Sequence, residues 1–185
     1  THLHFDHCGG AVKWKNNDRK ILEPVFKNAT YWSNKNHWDW AMKPNPREKA
    51  SFLSNNISPI EESGQLKFIK RRGQLTKDIF QNMDVFFADG HTESQMIPII
   101  NYNGQKIAFM ADLLPSVGHI PLPYIMGYDT RPLKTLREKS IFLELALKNN
   151  YLLYLQHDSK NESCKLQSTE KGVRLKSTHP LTDFL

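Results

Sequence analysis

The chain has 185 residues, 39% of them hydrophobic, and carries a formal net charge of +6 with a pI near 9.3. That length fits one domain with a real core. No apolar run approaches the roughly 20 residues that span a bilayer, which excludes a helical membrane protein, and 2 cysteines, Cys8 and Cys164, exclude a disulfide framework. No signal peptide is visible, so a reducing, cytoplasmic setting is expected. Lys and Arg are scattered rather than striped, so nucleic acid is not the expected partner. The tightest basic cluster, Lys67, Lys70, Arg71 and Arg72, reads as a solvated strand end and turn.

The chain opens with a histidine-rich loop, and residues 8–14 read as the start of a short helix. Residues 24–26 and 29–32 carry the β-branched and aromatic material of strands. Lys35–Met42 reads as a helix closed by Pro44 and Pro46. Residues 47–55 read as another helix, with Pro46 just before its first turn. Residues 66–69 read as a strand. From Asp78 the pattern turns strongly β. Val85-Phe86-Phe87 leads to Gly90, and residues 94–102 and 105–111 are joined by Asn103-Gly104, the strongest short hairpin signal. Residues 132–147 place Leu133, Leu136, Ile141 and Leu145 at near-helical spacing, which predicts an amphipathic helix. Residues 151–155 and 164–168 are the last two predicted strands. Interleaved strands and helices give an α/β or mixed α+β domain with helices packed outside sheets.

The chemistry is concentrated in His2-Leu3-His4-Phe5-Asp6-His7. In an extended segment His2 and His4 point the same way, because successive side chains alternate. Asp6 and His7 reach a second point if the chain turns, and Gly9-Gly10 would allow the turn. Imidazole and carboxylate suit zinc, iron or cobalt. Three further segments end apolar runs in ligand-type residues: Phe87-Ala88-Asp89-Gly90-His91, Ile107-Ala108-Phe109-Met110-Ala111-Asp112 and Leu152-Leu153-Tyr154-Leu155-Gln156-His157.

The first run resembles the His-x-His-x-Asp-His signature of the metallo-β-lactamase superfamily, and the other three stand where that family has its remaining ligands. The resemblance covers Thr1 to about Asp158. It implies that His2, His4 and His91 bind one metal, that Asp6, His7 and His157 bind the other, and that Asp112 bridges them. It implies two divalent ions, zinc first, with manganese, iron or cobalt as alternatives. A hydroxide held between them would attack the substrate, and Asp112 or Asp6 would shuttle the proton. The fold implied is an αββα sandwich. The family's motif follows several strands, about 60–100 residues of an ordinary domain. Residues 1–185 are therefore expected to be a single domain incomplete at its N-terminus. An edge left exposed by that would favour a homo-oligomer.

The segments from Ala111 to His119, from Gly127 to Lys139 and from Gln156 to Asp158 resemble the branch of the superfamily containing quorum-quenching lactonases and organophosphate hydrolases. That implies a small-molecule lactone, ester or phosphotriester as substrate. The acyl-homoserine lactonases often carry a tyrosine three residues after the bridging aspartate, where this chain has Pro115. His119, in a Pro/Gly-rich loop after Asp112, is a candidate for lining the substrate site, as are Phe5 and Tyr128, with Tyr124 an alternative to Tyr128. His37 is expected to be structural or at the surface, and His179 solvated. Tyr31, Trp32, Trp38 and Trp40 are expected in the core or a pocket wall. Cys8 is expected to fill buried space. Asp89, Thr92 and Asp158 are candidate outer partners of the ligands. The alternatives are a mononuclear-iron thiol or persulfide oxidase of the same fold, and a nuclease of the same superfamily.

Overall fold

A computed structural model describes residues 1–16 and 19–184, and the chain divides into two compact units, Thr1–Arg71 and Arg72–Leu185.

In the first unit, α1 (Phe5–Cys8) and a 3-10 turn lead into β1 (Val12–Trp14), which pairs antiparallel with β2 (Leu22–Pro24). β3 (Tyr31–Ser33) pairs parallel with β4 (Leu66–Phe68). Between them lie α2 (Lys35–Met42) and α3 (Ser54–Glu62). Asn34 caps α2: its Oδ1 accepts the His37 N–H at 2.9 Å, satisfying one of the orphan donors of the first turn. Leu3, Cys8, Trp38, Ala41, Phe52 and Ile57 form the core of this unit.

Several boundaries differ from the sequence expectation. The helix expected to start at residue 8 is α1, which starts three residues earlier at Phe5 and ends at Cys8, and Val12 begins a strand facing Pro24. β2 ends at Pro24 and leaves Phe26 exposed, and β3 starts two residues later than expected. The helix expected at 47–55 is instead a turn, because Asn45 Oδ1 takes the N–H groups of Arg47 and Glu48 at 2.9 and 3.2 Å. Helix begins only at Ser54, where Ile57 and Ile60 face inward, and it tolerates Pro59 at the loss of one backbone donor.

The second unit is built on a seven-stranded sheet in the order β11-β10-β9-β8-β7-β6-β5. Its strands are β5 (Leu75–Phe80), β6 (Met83–Ala88), β7 (Gln95–Tyr102), β8 (Gln105–Phe109), β9 (Leu152–Tyr154), β10 (Ser163–Thr169) and β11 (Gly172–His179). Asn103 and Gly104 take φ of 48° and 81°, the left-handed pair that a two-residue hairpin turn needs, and they set Tyr102 opposite Gln105. β8 and β9 are the parallel pair, with Ala108 opposite Leu153. Parallel neighbours need a long crossover, and α4 (Pro132–Lys148) lies on it. Phe86, Ile97, Ile99, Phe142, Leu143 and Leu153 are among the residues of a continuous core. This is the mixed fold with a large sheet that the sequence leads one to expect.

The buried face of α4 is not the expected one. Leu133 is 76% exposed and Ile141 49%, while Thr135, Glu138, Lys139, Phe142, Leu143 and Ala146 point inward. The spacing is helical, but the stripe is half polar.

Two candidate metal-ligand clusters

In the first unit the helical turn of α1, not Gly9-Gly10, swings Asp6 and His7 around. The N–H groups of His7 and Cys8 both bond to His4 O, at 3.0 and 3.1 Å. His2 and His4 are buried and come together, with His2 Nε2 3.1 Å from His4 Nδ1. The His2 and His7 rings lie 3.9 Å apart, and His7 Nε2 is 3.4 Å from Asp6 Oδ2. The loop is held from below. His37, fully buried, accepts the Leu3 N–H on Nε2 at 2.8 Å, and the Cys8 thiol donates to Leu3 O. Burial pushes the Cys8 thiol up to about 11, so it is a space-filling, unreactive group. Glu48, also buried, lies 3.5 Å from His4 Nε2 and accepts from Trp40 Nε1 at 2.8 Å.

In the second unit each remaining donor follows a strand: His91 after β6, Asp112 after β8, His157 after β9. Asp112 is the hub. Its Oδ2 lies 3.2 Å from His91 Nε2, and its Oδ1 lies 3.1 Å from His157 Nε2. Ala111, immediately before it, holds φ of 43°, a left-handed conformation costly for a residue with a Cβ and of the kind that concentrates at functional sites. His91 Nδ1 is 3.0 Å from Asp129 Oδ1, which fixes the ring and leaves Nε2 for a ligand.

The loop carrying His91 is clamped onto α4. Glu138, buried, accepts the Asp89 N–H at 2.9 Å and the Gly90 N–H at 3.0 Å. Burial pushes its carboxyl upward, although both N–H groups pull the other way. The Thr130 hydroxyl donates to the carbonyls of Gly90 and His91, and Arg131 N donates to Gly90 O at 2.8 Å. A Cβ on Gly90 would meet Thr135 Oγ1 at 2.2 Å, so only glycine lets loop and helix approach this closely.

These donors fit divalent ions. Two ligands sharing a tetrahedral zinc at 2.0–2.1 Å stand about 3.3 Å apart. The His2–His4 pair at 3.1 Å and the two Asp112–imidazole pairs at 3.2 and 3.1 Å have that spacing. A carboxylate with each oxygen turned to a different imidazole is arranged as a bridge is. All seven side chains are able to hold a metal.

The other expected residues are distributed differently. Asp89 accepts from Ser94 N at 3.1 Å and pairs with Lys134 Nζ at 2.9 Å, which ties its loop to α4. Asp158 accepts from Val117, Lys160 and Asn161 N–H groups; burial raises its carboxyl, but these donors outweigh it and hold the group low. Thr92 is buried and its hydroxyl bonds to neither His91 nor His157. Asp129, Glu138 and Glu48 were not assigned from sequence, and of the two places expected for His37 the structure shows the structural one. His119 Nδ1 lies 2.9 Å from Ser116 Oγ. Burial and then the charge of Lys139 lower its pKa. Tyr124 and Tyr128 are exposed, not core, and Phe5 is half exposed. Of the four aromatics, Trp38 is in the core, Trp40 packs against it, Tyr31 bonds through its hydroxyl to Ala11 O, and Trp32 lies on the surface beneath Lys67. His179 is half-buried against Ser177 and Asp183 rather than solvated.

A profile of the metallo-beta-lactamase superfamily matches residues 1–157. No curated protein shows significant similarity to the chain. Among solved structures, a probable metal-dependent hydrolase from Staphylococcus aureus superposes with a TM-score of 0.77 at 22% identity, covering 97% of this chain and 62% of that one. AidC, a dizinc quorum-quenching lactonase in complex with a product, gives 0.77 at 21% identity over 97% and 63%. The hydrolase AbOPH gives 0.76 at 20% over 97% and 62%. At such identities the likeness is one of fold, and the chain spans less than two thirds of each of those chains. Among the described residues, no helix is long and apolar enough to cross a membrane.

Proposed function

The chain belongs to the metallo-β-lactamase superfamily, and from that premise we propose that it is a hydrolase of lactones, esters or phosphotriesters. His2, His4, Asp6, His7, His91, Asp112 and His157 would hold two divalent ions, zinc foremost. The observation that carries the reading is Asp112, whose two carboxylate oxygens face the ring nitrogens of two different histidines. A mononuclear site needs no such two-sided carboxylate. Its neighbours in fold include a dizinc lactonase, which favours the same substrate class.

Bound divalent ions supply Lewis acidity and a nucleophilic water at neutral pH. The rest is the work of the chain. Asp112 spaces the donors on either side of it. Asp129 holds the His91 ring so that Nε2, not Nδ1, faces the ligand position. Asp6, 44% exposed at its side chain, is accessible enough to carry a proton to a leaving group. His119, with Nδ1 engaged by Ser116, presents Nε2 to a substrate oxygen.

Elemental analysis of the purified chain tests the reading. About two transition-metal ions per chain are expected, with hydrolysis of at least one compound in a panel of lactones, esters and phosphotriesters. Asp112→Asn should lower turnover by roughly 10²–10³-fold, as loss of one preorganised charge-stabilising group does. One ion per chain with full activity would refute the dinuclear centre, and oxidation of a thiol or persulfide without hydrolysis would replace the reaction class.

A further inference from the structure

Lys139 is 1% exposed, on the inward stripe of α4 where an apolar residue would ordinarily pack. Its Nζ donates to three backbone carbonyls: His119 O at 2.9 Å, Pro121 O at 3.1 Å and Tyr124 O at 2.7 Å. An ammonium has three N–H donors, and all are used on one loop. Burying a charge among neutral carbonyls is costly, and here burial lowers the amine to about 8. A core filler would have avoided that cost, so the position calls for the three bonds themselves.

The segment so gripped follows Asp112. It has no strand partner, and its own backbone bonds are short turns, from His119 N to Ser116 O, Ile120 N to Val117 O and Tyr124 N to Pro121 O. Two further anchors fix it: Ile120 is sunk completely into the core, and Val117 N donates to Asp158 Oδ2, beside His157, at 3.1 Å. With the Ile120 side chain pinned and the carbonyls on either side of it turned towards Lys139, the backbone at His119 is held, and Ser116 Oγ, 2.9 Å from Nδ1, orients the ring from within the same segment.

We propose that Lys139 is a positioning residue that fixes residues 116–124, and with them His119, as the substrate-facing wall of the second unit. This rests on the hydrolase reading for the word substrate, but not for the clamp. The test is hydrogen exchange on the metal-loaded full chain, comparing wild type, Lys139→Met and Lys139→Arg. In Lys139→Met the amides of Val117, His119, Ile120 and Tyr124 should exchange at least tenfold faster, with those of β6 to β9 unchanged. Lys139→Arg, which keeps N–H donors, should restore most of the protection. Metal content should stay at the wild-type value. On any substrate the wild type turns over, KM should rise about tenfold with kcat within threefold, because loop placement and not the ligands has changed. Unchanged exchange at these four amides, or equal acceleration through the whole sheet, overturns the proposal. Should Lys139→Met fail to fold, Lys139→Gln, with two N–H donors, should give an intermediate loosening confined to the same amides. A chain that hydrolyses nothing while the exchange pattern appears refutes the hydrolase reading and leaves the clamp standing.

Discussion

Replacing Gly90 by alanine should damage the second unit more than the loss of any single large side chain on its surface. The added Cβ would lie 2.2 Å from Thr135 Oγ1, 2.4 Å from Thr135 N and 2.6 Å from Thr135 Cα. Non-bonded carbons settle at about 3.5–4.0 Å, so loop and helix must part by roughly 1 Å. Two of the three clashing atoms belong to the α4 backbone, and no change of rotamer relieves them. Overpacking alone costs about 1–3 kcal/mol. The retreat also stretches the Asp89 and Gly90 N–H bonds to Glu138, now 2.9 and 3.0 Å, and bonds to a charged group are worth about 1.5–3 kcal/mol each. Partial relaxation of both terms gives an expected loss of about 3–5 kcal/mol in urea unfolding. In whatever fraction stays folded, metal content should fall, because His91 travels with the loop. Thr135→Ala in the same chain should rescue little, since N and Cα remain. A Gly90→Ala protein within about 1 kcal/mol of wild type, or full rescue by Thr135→Ala, would refute the close approach.

Two other changes probe the supports, and one condition probes α4. His37→Phe keeps the volume but removes the acceptor for Leu3 N–H; about 1–3 kcal/mol of stability should go, read by denaturant titration. Asp129→Asn should weaken metal binding about 10–100-fold by competitive chelation, with the fold intact by circular dichroism. Lys139, lowered from 10.5 to about 8, binds its proton less tightly folded than unfolded. The unfolded chain therefore holds the extra proton between those values, so this amine adds stability as pH rises across that window, by about 3 kcal/mol, against Cys8 and Cys164, whose raised thiols remove stability over much of the same range. Asp129, whose charge favours the ammonium, moderates the gain; the stability of wild type minus that of Lys139→Met should therefore climb from about pH 8 to 10.5.

What could be read from the sequence follows from how local each cause is. The proposed metal-holding residues stand in one contiguous run, His2 to His7, and behind three apolar strands, so they stood out as candidates, and Asn103-Gly104 dictates its own turn. Lys35–Met42 was visible because Pro44 and Pro46 close it, and the structure adds a cap from Asn34 at the preceding position. The helix expected at 47–55 failed because Asn45 offers the backbone a competing turn, and which of the two wins is decided by burial of Ile57 and Ile60 further on. Asp129 meets His91 from 38 positions away, and Glu138 meets Asp89 from 49. No periodicity carries such pairings. Gly127-Tyr128-Asp129-Thr130-Arg131 stood out as a segment, yet nothing in it says that its carboxylate aims at an imidazole.

The misread face of α4 has a physical cause that bears on the whole unit. Apolar spacing alone would bury Leu133 and Ile141, and both are exposed. The helix is instead rotated to put Glu138 and Lys139, adjacent residues of opposite charge, towards two different loops. Glu138 takes backbone N–H donors from the segment before His91, and Lys139 gives N–H donors to backbone carbonyls of the segment after Asp112. Unpaired backbone groups in loops that leave a sheet are a cost that apolar packing cannot remove. A helix with one acceptor and one donor on its inner face removes it on both sides at once. The apolar area given up at Leu133 and Ile141, worth at most about 1.5–3 kcal/mol each, is offset by the charge-assisted bonds gained at the two loops and by burial of Phe142, Leu143 and Ala146. What the rotation decides is where the loops that carry His91 and His119 are held.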